Sequence, residues 1–280
     1  MTFPTTAIED ILIDAADVDK SDLRLWCAWV ESLLKGQPAI IVMGADPTGA
    51  TSSTAAIQDA ADALIGQGGV VIQPPGTYYL ATPLILTTEH EGITFAGPSR
   101  GRGTTLTQAV SWIALTIALK TATSGSNRPG IDGTLYGFGM KNIAVYGSTT
   151  AHDHLIQLAG VYSSGFKNLF GEGTAAGKDW MQLTDVADIE LENIVIARAK
   201  RNGIYVQGAC TTIRMRDGYL RCCDTAGFNC VGVTQMSGLK IDGTIFENMG
   251  RDESQVHIAS APGVGVMIDN VTDADIFAYY

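Results

Sequence analysis

Charge is scarce in this 280-residue chain: only 17% of residues are Asp, Glu, Lys or Arg, and basic residues number 18 against 29 acidic ones. A net charge of −11 leaves too few cations to hold a phosphate backbone or an anionic membrane surface, so neither nucleic acid nor membrane is an expected partner. Long apolar runs are missing too. The longest, such as Trp112–Leu119, are of strand length, far short of the roughly 18 residues that cross a bilayer. Met1–Lys20 lacks a basic start and is broken by Glu9, Asp10, Asp14, Asp17 and Asp19, so it does not read as a signal peptide. The five cysteines (Cys27, Cys210, Cys222, Cys223, Cys230) form no CxxC and no Cys/His pair at zinc spacing, so no metal or other cofactor is expected. They read as small buried hydrophobes, with a Cys210–Cys230 or Cys222–Cys230 bridge as the alternative. Disorder is excluded by 46% hydrophobic content. What is abundant is glycine, 32 residues of it.

The first part of the chain divides by periodicity. After an extended arm, Leu23, Trp26, Cys27, Val30, Leu33 and Leu34 recur at helical spacing, and Gly36 and Pro38 end the pattern. Residues 1–39 therefore form a leader with a short attachment or oligomerisation helix, and 40–280 form the main domain. Within it, Ile40–Val42, Val70–Ile72 and Thr77–Leu80 read as strands. A helix between them starts at Ser53 and carries Ile57, Ala60, Ala61, Leu64 and Ile65 on one face. The run Gly44-(x)4-Gly49-Ala50-Thr51 imitates a phosphate-binding loop, but Ala50 stands where that loop needs lysine, so nucleotide binding is rejected.

From residue 138 onward the chain repeats. Asn142, Asn168, Asn193, Gly218, Gly243 and Asn270 share one slot, at spacings of 26, 25, 25, 25 and 27 residues. Two more strand-like pieces accompany each slot, for example Leu155–Leu158, Met181–Leu183, Ile204–Val206, Phe228–Cys230 and Val256–Ile258. Three short strands per repeat are too few residues for a propeller blade, and the leucines of a leucine-rich repeat are absent. The pattern predicts an all-β solenoid, a right-handed parallel β-helix with rungs of about 25 residues and a capping helix at its start. Asn, Gly and Asp recur because the corner between strands demands a left-handed backbone, and stacked asparagines hydrogen-bond up the ladder.

The segment Gly44-Ala-Asp-Pro-Thr-Gly through Ala56-Ile-Gln58, with Gly68-Gly-Val-Val-Ile-Gln-Pro-Pro-Gly-Thr-Tyr-Tyr-Leu80, resembles the start of pectate-lyase-like β-helices. The leader, Lys20-Ser-Asp-Leu-Arg-Leu-Trp-Cys-Ala-Trp-Val-Glu31, resembles more loosely that of phage tail fibre and tailspike proteins. Together these resemblances imply a homotrimeric virion protein, assembled in the host cytoplasm. It would join other tail or baseplate proteins and bind host surface polysaccharide, with depolymerisation left open. The NTD, DD, GHG and RIK motifs of polygalacturonase-type members do not occur, so no catalytic residue carries over. The alternatives are a non-enzymatic baseplate or adaptor protein, whose open solenoid end receives another chain, and a polysaccharide lyase or epimerase outside a virion.

Candidate chemistry rests on carboxylates about one rung apart, since glycosidases use two carboxyls roughly 5 to 9.5 Å apart. Asp224 and Glu247 are the candidate catalytic pair, with Asp252 and Glu253 nearby; solvated loop acids are the competing reading. Glu192, Asp217 and Asp242 should stack directly as like charges. His152-Asp153-His154 reads as a surface loop. Trp180, Tyr205 and Phe228 fall near equivalent strand positions and either fill the core or face sugar rings. Trp180, Tyr205 and Asp252 are taken as the substrate-binding candidates.

Overall fold

The computed structural model describes residues 38–74, 76–82, 84–97, 111–112, 115–116, 135–146, 154–172, 179–231, 233–250 and 263–279. The predicted leader helix, Cys27, Asp252, Glu253, His152, Asp153 and the predicted strand Val256–Ile258 lie outside these residues. The chain winds as a parallel β-solenoid whose strands stack in three ladders. The first ladder runs through Ala39–Ile41, Gly69–Ile72, Ile93–Ala96, Gly139–Lys141, Val161–Lys167 and Ala187–Glu192. It continues through 209–216 of the long strand Asn202–Arg216, then Val233–Glu247 and Val271–Tyr279. A second ladder of two- and three-residue strands stacks Ala144–Tyr146, Phe170–Glu172, Val195–Ile196, Tyr219–Arg221 and 245–247. The third stacks Leu115–Thr116, His154–Ala159, Asp179–Thr184, 202–207, Ala226–Cys230 and Val264–Ile268.

Every register is parallel, so each column of side chains lies either wholly inside or wholly outside. Met140, Phe166, Leu191, Met215 and Ile241 form one buried column, and Ile156, Met181, Ile204 and Phe228 another. The rings of Phe95, Phe138 and Phe166 step along the interior with centroids 5.9 Å apart. The helix α1, Thr54–Asp62, caps the start, burying Ile57, Ala60 and Ala61, with Leu64 following; Ile65, expected on the same face, is 37% exposed. Gln58 fastens α1 sideways: its amide nitrogen donates to Ile85 O at 2.9 Å and its oxygen accepts from Ile85 N at 2.9 Å. Thr77–Leu80 makes only the bridge Ser52↔Tyr79 rather than a strand.

The asparagine slot is the corner between the first and second ladders. Asn142, Asn168 and Asn193 hold φ of 58°, 54° and 51°, the left-handed region that Asn tolerates better than most side chains. Asn193 Nδ2 donates to Asn168 Oδ1 at 2.8 Å, and Asn168 Nδ2 to Asn142 Oδ1 at 2.9 Å. Two expected members differ. Asp217, not Gly218, takes the turn with φ 54°; Gly218 sits one place later, where a Cβ would meet Met215 Cε at 2.4 Å. Asn270, φ 53°, belongs to another corner: its carbonyl accepts from Met236 N, and the strand Val271–Tyr279 follows directly. The count slips because the third-ladder strands are 23 or 24 residues apart from Asp179 to Ala226, whereas Ala226 pairs with Val264.

Candidate functional site

The outer face of the first ladder is charged. Strand alternation places Lys141, Lys167, Glu192, Arg216 and Asp242 in one outward column, each immediately before the left-handed corner. A parallel outward column two residues earlier reads Gly139, Gly165, Glu190, Arg214 and Lys240. Where the two glycines stack, the sheet surface is low: a Cβ on Gly165 would meet nothing within 4 Å, and one on Gly139 would meet the Thr94 side chain at 2.9 Å. The result is a shallow groove of about 290 Å³ floored by Gly139 and Gly165 and walled by Lys141, Lys167, Glu190 and Glu192. It adjoins, through Glu190, a second depression of about 210 Å³ lined by Arg214, Arg216, Lys240 and Asp242.

The predicted acidic stack is corrected by this register. Glu192 lies against Lys167 on one side and Arg216 on the other, and Arg216 in turn against Asp242, so charges alternate instead of repelling. Asp217 is in the turn. Lys167 Nζ stands 2.6 Å from Glu192 Oε1, and Arg216 Nη2 donates to Glu192 Oε2 at 2.9 Å. The hydrogen bond from Lys167, then that from Arg216, holds the Glu192 carboxyl below its ordinary range, so it is an ionised acceptor rather than a proton donor. Burial pulls the Lys141 ammonium down. Glu190, 3.7 Å from Arg214, lies two residues from Glu192 on the same outer face, a Cα separation of about 6.6 Å. Sequence reasoning missed Glu190 and both glycines. Their signal was position: two residues before the residue that precedes each turn.

The candidate pair lies on neighbouring rungs, the Glu247 carbonyl accepting from Cys222 N at 3.1 Å two residues before Asp224, but the two carboxylates have different partners. Glu247 stacks on Arg221 and accepts from the Tyr219 hydroxyl, whereas Asp224 lies three residues beyond Arg221, past Cys222–Cys223, and pairs with Lys200 at 3.2 Å. Tyr205, Trp180 and Phe228 fall in three different columns of the third ladder: Tyr205 pairs with Gln182, and Phe228 with Ile204. Trp180 is core, not sugar platform. It is fully buried, its Nε1 donates to Val145 O at 3.2 Å, and it fills the space above Gly171, where a Cβ would stand 1.8 Å from Nε1. Tyr205 is half-buried beneath the Arg201 guanidinium, 5.0 Å from its ring centre.

Two other polar clusters are structural. Asp179, buried, accepts from Arg201 Nε at 2.8 Å, Asn202 Nδ2 at 2.7 Å and Asn202 N at 3.1 Å. His154 Nδ1 stands 3.1 Å from its other oxygen, a close polar contact without the alignment of a hydrogen bond. Burial pushes the Asp179 carboxyl up, but Arg201 and its other partners outweigh this and hold it below the usual range. In the loop resembling a phosphate cradle, Asp46 takes the amides of Thr48 (2.9 Å) and Thr51 (2.7 Å). Those donors are thus engaged within the loop. Cys210, Cys222, Cys223 and Cys230 are buried thiols, none in a disulfide, so the bridge alternative is set aside. Burial pushes Cys210 up to about 11 and Cys230 up to about 12.

A right-handed parallel β-helix with α1 over its first rungs defines the class of pectate-lyase-like solenoids. The chain belongs to the family described as rhamnogalacturonase A/epimerase, pectate lyase-like, whose pattern matches residues 41–272. No curated protein matches the sequence. Among solved structures it is similar to the catalytic unit of a thermostable GH87 α-1,3-glucanase from Streptomyces thermodiastaticus strain HF3-3. The identity is 20% and the TM-score 0.52, over 85% of this chain and 48% of that one, so this chain spans about half its length. A candidate glycosyl hydrolase from Parabacteroides merdae aligns at 15% identity and TM-score 0.51, over 80% of this chain and 100% of that one. ORF18 of Geobacillus virus E2 aligns at 13% identity and TM-score 0.30, over 99% and 65%. Likeness at the level of the first two establishes the fold and not an activity; the third carries no argument.

Proposed function

We propose that this chain binds polysaccharide along the outer face of its first ladder, as the recognition module of a tailspike- or tail-fibre-like virion protein. The observation that carries the binding reading is the glycine-floored groove walled by Lys141, Lys167, Glu190 and Glu192 and continued by Arg214, Arg216 and Lys240. Hydroxyl-rich chains are held by planar and charged hydrogen-bonding groups of this kind, and membership of the pectate-lyase-like family agrees. Placement in a virion, homotrimeric and joined to other tail proteins, rests on the leader sequence alone. Cleavage is the second reading, favoured by one observation: Glu190 and Glu192 project from the same strand face two residues apart, as two carboxyls flanking one glycosidic bond would. In such a pair the ionised Glu192 could serve only as base or nucleophile, so the acid would have to be Glu190.

The test is to run the full chain through gels containing bacterial capsule, lipopolysaccharide, polygalacturonate or dextran, and to analyse the same mixtures by mass spectrometry. Retardation without new oligosaccharides is expected. A Lys167→Ala/Arg216→Ala double variant should weaken retention about tenfold, the loss of one or two charge-assisted hydrogen bonds. New oligosaccharides that vanish in Glu190→Gln would move the cleavage reading to first place. Retention of none of these polymers would sink the binding reading in favour of an adaptor. Light scattering that gives the mass of one chain would remove the trimer.

A further inference from the structure

Around the asparagine corner from the groove, the second ladder presents one outward column: Phe170, Val195, Tyr219, Ile245 and Tyr279, each in register with the next. All five are apolar or aromatic. Phe170, Val195 and Tyr219 are half-buried, while Ile245 is 42% and Tyr279 66% exposed. The rings fall on alternate rungs, and two rungs advance about 9.6 Å. That is roughly the advance of two sugar rings in an extended glycan. The ring faces come with polar groups beside them. Two residues further along the same face lie Glu172, Arg221 and Glu247, and the Tyr219 hydroxyl donates to Glu247, which fixes the ring. Glu247 also accepts from Asn248 Nδ2 at 3.3 Å.

We infer that this column is a glycan-stacking row, which seats an extended polysaccharide parallel to the solenoid axis with every second sugar ring over Tyr219 or Tyr279. The inference rests on the polysaccharide reading above and adds the chain's direction and conformation. Sugar rings carry apolar C–H faces that lie on aromatic rings, while their edge hydroxyls seek planar acceptors and donors such as Glu247 and Arg221. The shape of the strip decides against a protein partner. From Phe170 to Ile245 it is one side chain wide and bordered by Glu172, Arg221 and Glu247, and it widens only at Tyr279, where Phe277 is also exposed, whereas the core of a protein interface is a broad patch depleted of charge.

The row is tested with the polymer retained by the wild-type chain, cut into oligosaccharides of graded length and titrated calorimetrically. Spanning Tyr219 and Tyr279 takes three rings, so the dissociation constant should fall about tenfold between two rings and three. Tyr279→Ala should erase that step. Tyr219→Ala should weaken long oligosaccharides about tenfold, and Tyr219→Phe, which keeps the ring, should restore most of the loss. Tyr279 lies on an exposed face, and circular dichroism of its variant serves as the folding control. If both Ala variants bind as the wild type does while Lys167→Ala/Arg216→Ala weakens, the groove alone holds the glycan and the row is overturned. If Tyr279→Ala leaves binding intact and splits a multimer into single chains, the column is instead an interface between copies, and the row is again overturned. A wild-type chain that retains no polymer removes both readings together.

Discussion

At the scale of single residues, two kinds of side chain hold unfavourable states for the sake of the stack. Thr212 has φ 44°, in a column of left-handed positions that includes Ser163 and Asp188 and the glycines 137 and 238. A β-branched residue there crowds its own backbone, so Thr212→Gly should raise stability by about 1 kcal/mol, read from the urea midpoint. Asp179 is the opposite case, a buried charge satisfied by its neighbours. Asp179→Asn leaves Arg201 and His154 facing a neutral amide and should cost about 3 kcal/mol at neutral pH. Asp179, Glu192 and Asp46 all titrate in the folded chain below their ordinary carboxylate values. Each therefore contributes stability that is complete above an unfolded pKa of about 4 and is lost as pH falls through the lower folded value. Urea midpoints should stay flat from about pH 7 to 5 and drop below about pH 4, with a shallower drop in Asp179→Asn. An equal drop in that variant would show that Asp179 is not among the groups responsible.

At the scale of elements, the corner and the rung were legible and the site was not, for one physical reason. Asn142, Asn168 and Asn193 announce themselves because few side chains accept a left-handed corner, and a repeat in residue type then reports a repeat in backbone. A column on a sheet face is defined by register instead, and register is altered by every one-residue change at the other corners. Glu192 to Arg216 is 24 residues and Arg216 to Asp242 is 26, so counting by 25 put Asp217 where Arg216 stands. In the third ladder the register sets Trp180 opposite Gly203, and Gly203 opposite Gly227, so Trp180, Tyr205 and Phe228 make no column. Trp180 went unread for a second reason: its place inside depends on Gly171, one rung portion away, having no side chain. Gly171→Ala must push the indole out of its pocket and break its bond to Val145 O. The expected result is a loss of about 1–3 kcal/mol and a red-shifted tryptophan emission, which a Trp180→Phe background should not show. Unchanged emission would mean that the backbone yields rather than the ring.

At the scale of the whole molecule, a solenoid has no single centre, since each rung buries its inward column against the rungs on either side. The N-terminal face is closed by α1 through Ile57, Ala60 and Ala61, with Leu64 just beyond it. Among the described residues, Val271–Tyr279 pairs along one side only, with 236–245, and its inward Val271, Ile276 and Ala278 remain half-buried. Local stability should therefore be graded along the axis. Rungs 187–247, paired on both sides and fully buried inside, should show slower amide exchange than 271–279, whose inward side chains are only half-buried. Leu191→Ala opens a cavity in the middle of the stack, costs about 2–5 kcal/mol, and should speed exchange in the rungs on both sides of it. Ile276→Ala should speed exchange only in 264–279. Equal acceleration everywhere in both variants would mean that the rungs open as one cooperative unit. The row would then lose an expected property: Tyr279, on the rung that opens most readily, is expected to gain order on binding, whereas Tyr219 stands on a rung held from both sides. Bound glycan should accordingly slow exchange most in 271–279, because the contact made there orders a strand whose inward side chains are only half-buried.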